Sequence, residues 1–252
     1  MDVKTAGRTL DLFEAFEVLR RPASLSELAA LIGMPVSSCF ALLRTIERRG
    51  YLYSLRARGP LYPTGRLFRA ALTIRENDPI AKQVTPYLTA LRDRCGETVV
   101  LGVLLGAEVL YVDVFESAQV IRYYPPPGER RPAHANSIAK AILGGMPAAD
   151  RAVILKRLSY KRLTARTKMT PKDLDADIVR GSRRGWQTNV GESAADLTAI
   201  AVPVWINGYL FGISVAGPTH RLKPKLKALA DALRATASKI SDVAPKTSVA
   251  GN

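Results

Sequence analysis

Two short apolar-periodic segments, split by Gly33 and followed by a small basic hairpin, constrain the N-terminal part of this chain more than any other feature. Ser24-Leu25-Ser26-Glu27 has the capping-box spacing, serine three residues before glutamate. A helix therefore starts there and runs through Leu31, with Leu25, Leu28, Leu31 and Ile32 turned inward. Gly33 allows the positive φ of a tight turn. Pro35 stands at a permitted helix start. The helix that follows reaches about Arg49, with Cys39, Leu42, Leu43 and Ile46 on its inner face and Gly50 as its closing residue. Upstream, Leu10, Leu12, Phe13, Phe16, Val18 and Leu19 mark a first helix that Arg21-Pro22 ends. Downstream, Tyr51-Leu52-Tyr53 and Leu61-Tyr62-Pro63 read as strands on either side of the basic turn Arg56-Ala57-Arg58-Gly59-Pro60. Helix, glycine turn, helix and hairpin make a winged helix-turn-helix over residues 1–65.

The outer face of the third helix carries Ser37, Ser38, Phe40, Ala41, Arg44 and Arg48. In this motif that face enters the major groove of double-stranded DNA. Arg44 has the reach for a guanine edge or a phosphate, and the two serines suit phosphate or base contact near a helix N-terminus. Arg56 and Arg58 on the wing can follow the phosphate backbone or the minor groove. The competing reading is a solvated face on an ordinary three-helix bundle. The formal charge of +15 on 252 residues favours a polyanionic partner, but charge alone does not separate nucleic acid from an anionic membrane surface. No run is long and apolar enough to span a membrane, and the N-terminus lacks the apolar core of a signal peptide. Two distant cysteines, Cys39 and Cys95, suit a reducing compartment without disulfides. A cytoplasmic protein with no membrane partner and no cofactor is the expectation.

Residues 66–79 read as a linker helix, with Leu67, Phe68, Ala71, Leu72 and Ile74 apolar and Asn77-Asp78-Pro79 breaking it. Residues 80–245 form the second domain. Ile80, Val84, Leu88 and Leu91 mark a helix ended by Gly96. Strands are expected at Thr98–Leu105, Glu108–Phe115 and Val120–Tyr124. Helices follow at 136–143, 148–158 and 171–184. Two further strands, about 198–206 and 210–216, meet at Asn207-Gly208, a strong hairpin signal. A last helix spans about 223–240, and residues 246–252 form a tail. Hairpin-joined strands with flanking helices make this an α+β chain with an antiparallel sheet.

The stretch Ser24–Ala29, through Gly33-Met34-Pro35, to Leu42–Leu52 resembles the DNA-binding domain of the isocitrate-lyase-regulator (IclR) family. Pro132-Ala133-His134-Ala135-Asn136-Ser137-Ile138-Ala139-Lys140 is similar to that family's entry into its effector-domain helix. Ile200–Val204 and Ile213–Arg221 are similar to its last two strands, so the resemblance runs in order along nearly the whole chain. It implies a GAF-like or profilin-like sheet that holds a small organic or aromatic acid effector. It also implies a homodimer or homotetramer and a linker helix that helps to pair copies, where a rigid spacer is the alternative. Carried over position by position, the effector-binding residues are Val120, Ser137, Ile138, Asn189, Ala199, Ser214 and Ala216, with Arg122 and Tyr123 close in sequence. Asn189 stands where some relatives have an acidic residue, which favours a more anionic ligand or a different pose. Val36 and Ala41 replace frequent basic residues, so no operator sequence transfers. Ala139 replaces a frequent glycine and thickens the helix start near the expected pocket.

Three classes remain at this point: a DNA-binding transcription regulator with an effector, a winged-helix protein whose second domain only makes oligomers, and an enzyme with a DNA-binding appendage. Cys95 with His134 is the one conceivable nucleophile–base pair, and no sequence signature joins them. Gly191-Glu192-Ser193 lacks the following glycine of a nucleophile elbow. Metal-ligand spacing is absent from the sequence. The cluster Lys161, Arg162, Arg180, Arg183 and Arg184 reads as a solvated face, with a secondary DNA or acidic-partner contact as the alternative. The regulator is the stronger reading.

Overall fold

The computed structural model describes residues 3–56 and 59–243. The chain divides between Asp78 and Pro79 into two units. In the first, α1 (Lys4–Leu19), α2 (Leu25–Leu31) and α3 (Val36–Arg48) precede β1 (Leu52–Ser54), β2 (Leu61–Pro63) and α4 (Gly65–Asn77). The capping box forms in both directions. The Glu27 amide donates to Ser24 Oγ at 3.4 Å and the Ser24 amide donates to the Glu27 carboxylate at 2.9 Å. Arg21, bonded to the same carboxylate at 2.7 Å, together with Ser24 holds its pKa down to about 2. Gly33 has φ +59°, the left-handed value the turn needs.

The core of this unit gathers Leu12, Phe16, Leu28, Cys39, Leu43, Ile46 and Leu52. Three expected inward residues face out instead: Leu10, Val18 and Leu31 are 65%, 76% and 52% exposed. The buried stripe of α1 is Leu12, Ala15 and Phe16, one narrow line at helical spacing, and Leu10 and Val18 fall outside it. At the end of α2, Ile32 takes the core position in place of Leu31. Pro35 is the N-cap of α3 rather than its first helical residue. Leu52 pairs with Pro63 in the antiparallel wing, and Ala23 adds a bridge to Leu61. Arg58 and the tail lie outside the described residues.

The second unit is one antiparallel sheet between helices. Its elements are α5 (Pro79–Cys95), β3 (Thr98–Leu105), β4 (Glu108–Phe115), β5 (Arg130–Pro132), α6 (Ser137–Gly144), α7 (Ala148–Arg157), α8 (Pro171–Arg184), β6 (Gln187–Val190), β7 (Leu197–Ile206), β8 (Tyr209–Pro218), α9 (Thr219–Leu222) and α10 (Leu226–Val243). The strand order is β5-β4-β3-β8-β7-β6. Alternation along the strands supplies two faces. Leu101, Ile200, Val202 and Ile213 meet Val84, Leu88, Leu233 and Ile240 of α5 and α10. Val100, Val109 and Ala201 meet Ile138 and Ile142 of α6, which Leu174 and Ile178 of α8 back. Asn207 and Gly208, at φ 50° and 81°, turn β7 into β8.

Val120–Tyr124, expected as a strand, is irregular. Ser117 competes with a ladder there: its hydroxyl donates to the Gly96 carbonyl at 2.7 Å and accepts from the Gln119 amide at 3.1 Å. The sheet edge goes to β5, whose Arg130-Arg131-Pro132 shows no apolar alternation and so gave no strand signal. The polar strand β6 escaped for the same reason. The last helix begins later than expected, after α9 and a 3-10 turn at Lys223–Lys225. Among the described residues, no single helix is long and apolar enough to cross a membrane.

Candidate functional site

The first site is the outer face of α3. Ser37, Ser38, Phe40, Ala41, Arg44 and Arg48 are all exposed, while Cys39, Leu42, Leu43 and Ile46 hold the opposite face in the core. Val36 and Phe40 are half exposed on the same face, so it offers apolar contacts beside its cations. Such contacts suit thymine methyl groups. The Arg44 guanidinium sits 2.9 Å from the Glu47 carboxylate, with its side chain 58% exposed. An exposed pair of this kind is worth about 0–1 kcal/mol, so Glu47 holds Arg44 only weakly. Arg56 is exposed on the wing. Thr45 and Arg49 are exposed too and were not singled out from the sequence. Thr45 returns its hydroxyl to the Ala41 carbonyl at 2.9 Å, and the Arg49 carbonyl accepts from Arg66 at 2.7 Å, which ties the start of α4 to the end of α3.

The second site is a cavity of about 490 Å³ on the α6 side of the sheet. It lies beside the start of the eight-residue α6, where the strands carry several small side chains. Ala199, Ser214 and Ala216 form the floor with Val100. Ser137 Oγ lies 3.3 Å from Ser214 Oγ, both side chains buried. Asn136 caps α6 by accepting from the Ile138 amide at 2.8 Å. Its amide donates to Tyr111 Oη at 3.0 Å, and Tyr111 Oη is 3.3 Å from Tyr123 Oη. Burial first, and the Tyr123 phenol second, push the Tyr111 pKa upward, so this phenol stays neutral. Arg122 and Arg131 stand at the wall, each already paired, with Glu116 and with Glu129 respectively. Asp196 contributes a carboxylate to the lining.

Five residues placed here by resemblance, Ser137, Asn189, Ala199, Ser214 and Ala216, line this one cavity. Val120 does not. It is 92% exposed, in the irregular loop rather than on a strand, and its neighbours Ile121, Arg122 and Tyr123 line the cavity instead. Ile138 is buried beneath, packed on Gly102 and Gly212, and Ala139 is buried in the core and outside the lining. Asn189 is fully committed: its amide donates to the Ala135 carbonyl at 2.6 Å and to Ser193 Oγ at 2.9 Å, and its oxygen accepts from the Glu192 amide at 2.9 Å. It positions the wall. Tyr111, Asn136 and Ser193 escaped sequence reasoning, because nothing in their local pattern shows that three separate segments converge.

Behind the wall, Lys140 of α6 is fully buried. Its ammonium donates to Asp177 and to both Glu192 oxygens at 2.7 Å, and to the Thr188 carbonyl at 3.0 Å. Burial alone would raise the Asp177 pKa, and Lys140 and Arg180 outweigh it and lower the value. Cys95 and His134 have separate partners, the Arg92 and Glu97 carbonyls and the Lys161 carbonyl. Burial pushes the Cys95 thiol pKa up, the opposite of an activated nucleophile. Among the described residues, no cluster of histidine, cysteine and carboxylate side chains could hold a metal ion.

Models of two families match this arrangement: the bacterial transcriptional regulator IclR C-terminal domain over residues 73–242, and the IclR helix-turn-helix domain over residues 5–56. The chain belongs to the IclR family. The HTH-type transcriptional regulator BhcR of Paracoccus denitrificans is 29% identical over 95% of this chain and 86% of its own length. The transcriptional repressor IclR of Escherichia coli is 25% identical over 87% of this chain and 82% of its own. Among solved structures, Thermotoga maritima IclR superposes with a TM-score of 0.76 at 24% identity, covering 92% of this chain and 97% of that one. An IclR homolog from Microbacterium hydrocarbonoxydans, described in complex with 4-hydroxybenzoate, gives 0.75 at 22% identity, with 94% and 98% covered. As an IclR-family member the chain is a helix-turn-helix transcriptional regulator, and the family is not one of enzymes.

Proposed function

We propose that this regulator reads a specific operator through α3 and the wing, and that a small organic or aromatic acid in the cavity beside α6 controls it. The observation that carries the effector half is the paired hydroxyls of Ser137 and Ser214 at a helix N-terminus, on a floor of alanines, inside about 490 Å³. Backbone amides at a helix start favour a carboxylate, and the Tyr111, Tyr123 and Asn136 group offers polar contacts to a ring substituent. The 4-hydroxybenzoate complex of the Microbacterium homolog supports an aromatic acid as the class of ligand. The ligand acts to the extent that it favours one arrangement of the protein over another. The working form is a homodimer or a homotetramer. Paired α3 helices would read half-sites about one helical turn, or a multiple of it, apart. Phe68 and Ile74, 71% and 72% exposed on α4, are the surface where copies would meet.

The test is calorimetry of the whole chain against a panel of organic acids that includes 4-hydroxybenzoate and benzoate. Saturable binding of at least one acid is expected. The Ala199→Phe variant, which fills the floor, should lose it while still binding DNA. Silence across the panel would remove the effector and leave the C-terminal unit as an oligomerisation domain.

A further inference from the structure

An open cleft lies on the other side of β6. Side chains alternate across this edge strand: Asn189 faces the sheet cavity, while Thr188 and Val190 line the cleft. Arg162, Arg166 and Lys168 come to the cleft from one loop, residues 159–170. That loop is fastened rather than draped. Thr164 Oγ1 donates to the Gly191 carbonyl at 2.6 Å and Thr167 Oγ1 to the Glu192 carbonyl at 2.7 Å. His134 Nε2 meets the Lys161 carbonyl at 2.8 Å.

Three cations face three carboxylates in the lining, and two of those carboxylates are already neutralised from outside it by Lys140 and Arg180. The carboxylates are Asp173, Asp177 and Glu192. Asp177 and Glu192 share the buried Lys140 ammonium, and Asp177 also holds Arg180 at 3.0 Å. Asp173 accepts from the Thr170 hydroxyl at 2.7 Å in the cap of α8. No ion pair engages Arg162, Arg166 or Lys168 among the described residues, and Lys168 acts on Asp177 only at longer range, where its charge helps to lower that carboxyl's pKa. Exposed Lys156, Arg157, Lys161, Lys172 and Arg183 in the same stretch of chain add positive potential. Such a field, focused in a cleft, concentrates anions.

We propose that the cleft outside β6 is a second ligand site, for a phosphate-bearing small molecule held by Arg162, Arg166 and Lys168. Planar guanidinium groups suit phosphate oxygens, and the ammonium adds a point charge. This inference stands whether or not an organic acid occupies the sheet cavity.

Inorganic pyrophosphate is the probe, titrated calorimetrically into the whole chain at fixed ionic strength, with a short duplex of random sequence as a second arm. Expected is saturable pyrophosphate binding with about one site per chain. Arg166→Ala with Lys168→Ala should weaken it at least tenfold without moving the unfolding midpoint of the free protein. Ala199→Phe in the sheet cavity should leave it unchanged. The proposal is overturned if pyrophosphate does not saturate, if the double variant binds it as the parent does, or if Ala199→Phe abolishes it. It is equally overturned if the double variant loses random-duplex affinity but keeps pyrophosphate, since the loop cations would then serve duplex phosphates.

Discussion

Replacing Lys140 with methionine should destabilise the C-terminal unit by roughly 3–5 kcal/mol at pH 7, and by much less at pH 5. Methionine keeps the length and apolar stem of a side chain that is fully buried. What disappears is the ammonium that takes four polar contacts from Asp177, Glu192 and the Thr188 carbonyl. Asp177 retains Arg180, whereas the Glu192 carboxylate, 7% exposed, has Lys140 as its ion-pair partner. The cheapest response is to bury a neutral carboxylic acid. For an ordinary glutamic acid near pKa 4.3, that costs about 3.7 kcal/mol at pH 7 and about 1 kcal/mol at pH 5, from about 1.4 kcal/mol per pH unit. Asp177 adds little slope to the parent over the same window, and any slope from other groups is common to parent and variant. The Asp177 pKa is lowered on folding, so the associated stability is present above the unfolded value near 4 and is lost only as pH falls through the lower folded value. Urea unfolding followed by tryptophan fluorescence reads this unit selectively, because both tryptophans, Trp186 and Trp205, lie in it. A loss below about 1 kcal/mol at pH 7, or an equal loss at both pH values, would refute the claim that the buried ammonium neutralises these carboxylates.

Arg44→Ala should cost about 1–3 kcal/mol of operator affinity in gel-shift titrations, with the melting curve unchanged. Ser24→Ala should destabilise the N-terminal unit by about 0.5–2 kcal/mol through loss of the α2 cap. An NMR titration of the parent should find the Glu27 carboxyl near its lowered value of about 2, and the same variant should move it toward the ordinary range. Gly212→Ala should destabilise the C-terminal unit, because a Cβ there would come within 2.7 Å of Ile138 Cγ2 and 3.3 Å of its Cα, and α6 would have to lift from the sheet. Sedimentation should show Phe68→Glu shifting the assembly toward smaller species.

The elements that were legible in the sequence are those whose signal is local. The Ser24–Glu27 box, the Gly33 turn and the Cys39–Ile46 inner face each depend on residues within a few positions, and each forms as the spacing requires. The Asn207-Gly208 hairpin is of the same kind. Illegible were the elements defined by their neighbours. β5 and β6 are polar edge strands ordered by β4 and β7, and Val120–Tyr124 has strand composition but is drawn off by Ser117 and Thr98. The cavity shows the same division. The resemblance carried over Ser137, Asn189, Ala199, Ser214 and Ala216, all on regular elements or caps. Two carried-over residues fall outside the lining: Val120, in a loop where its neighbour Ile121 lines the wall, and Ile138, which α6 turns down onto the sheet. The Lys140 cluster joins α6, α8 and the end of β6, a meeting that only the fold specifies.

The most direct test of the central claim is to select bound duplexes from sheared genomic DNA with the parent chain and with a variant carrying Ser37→Ala, Ser38→Ala and Arg44→Ala. The parent should enrich a recurring two-part sequence with a fixed spacing, and the variant, equally folded by circular dichroism, should enrich none. The same motif recovered by both proteins would mean that another surface does the reading.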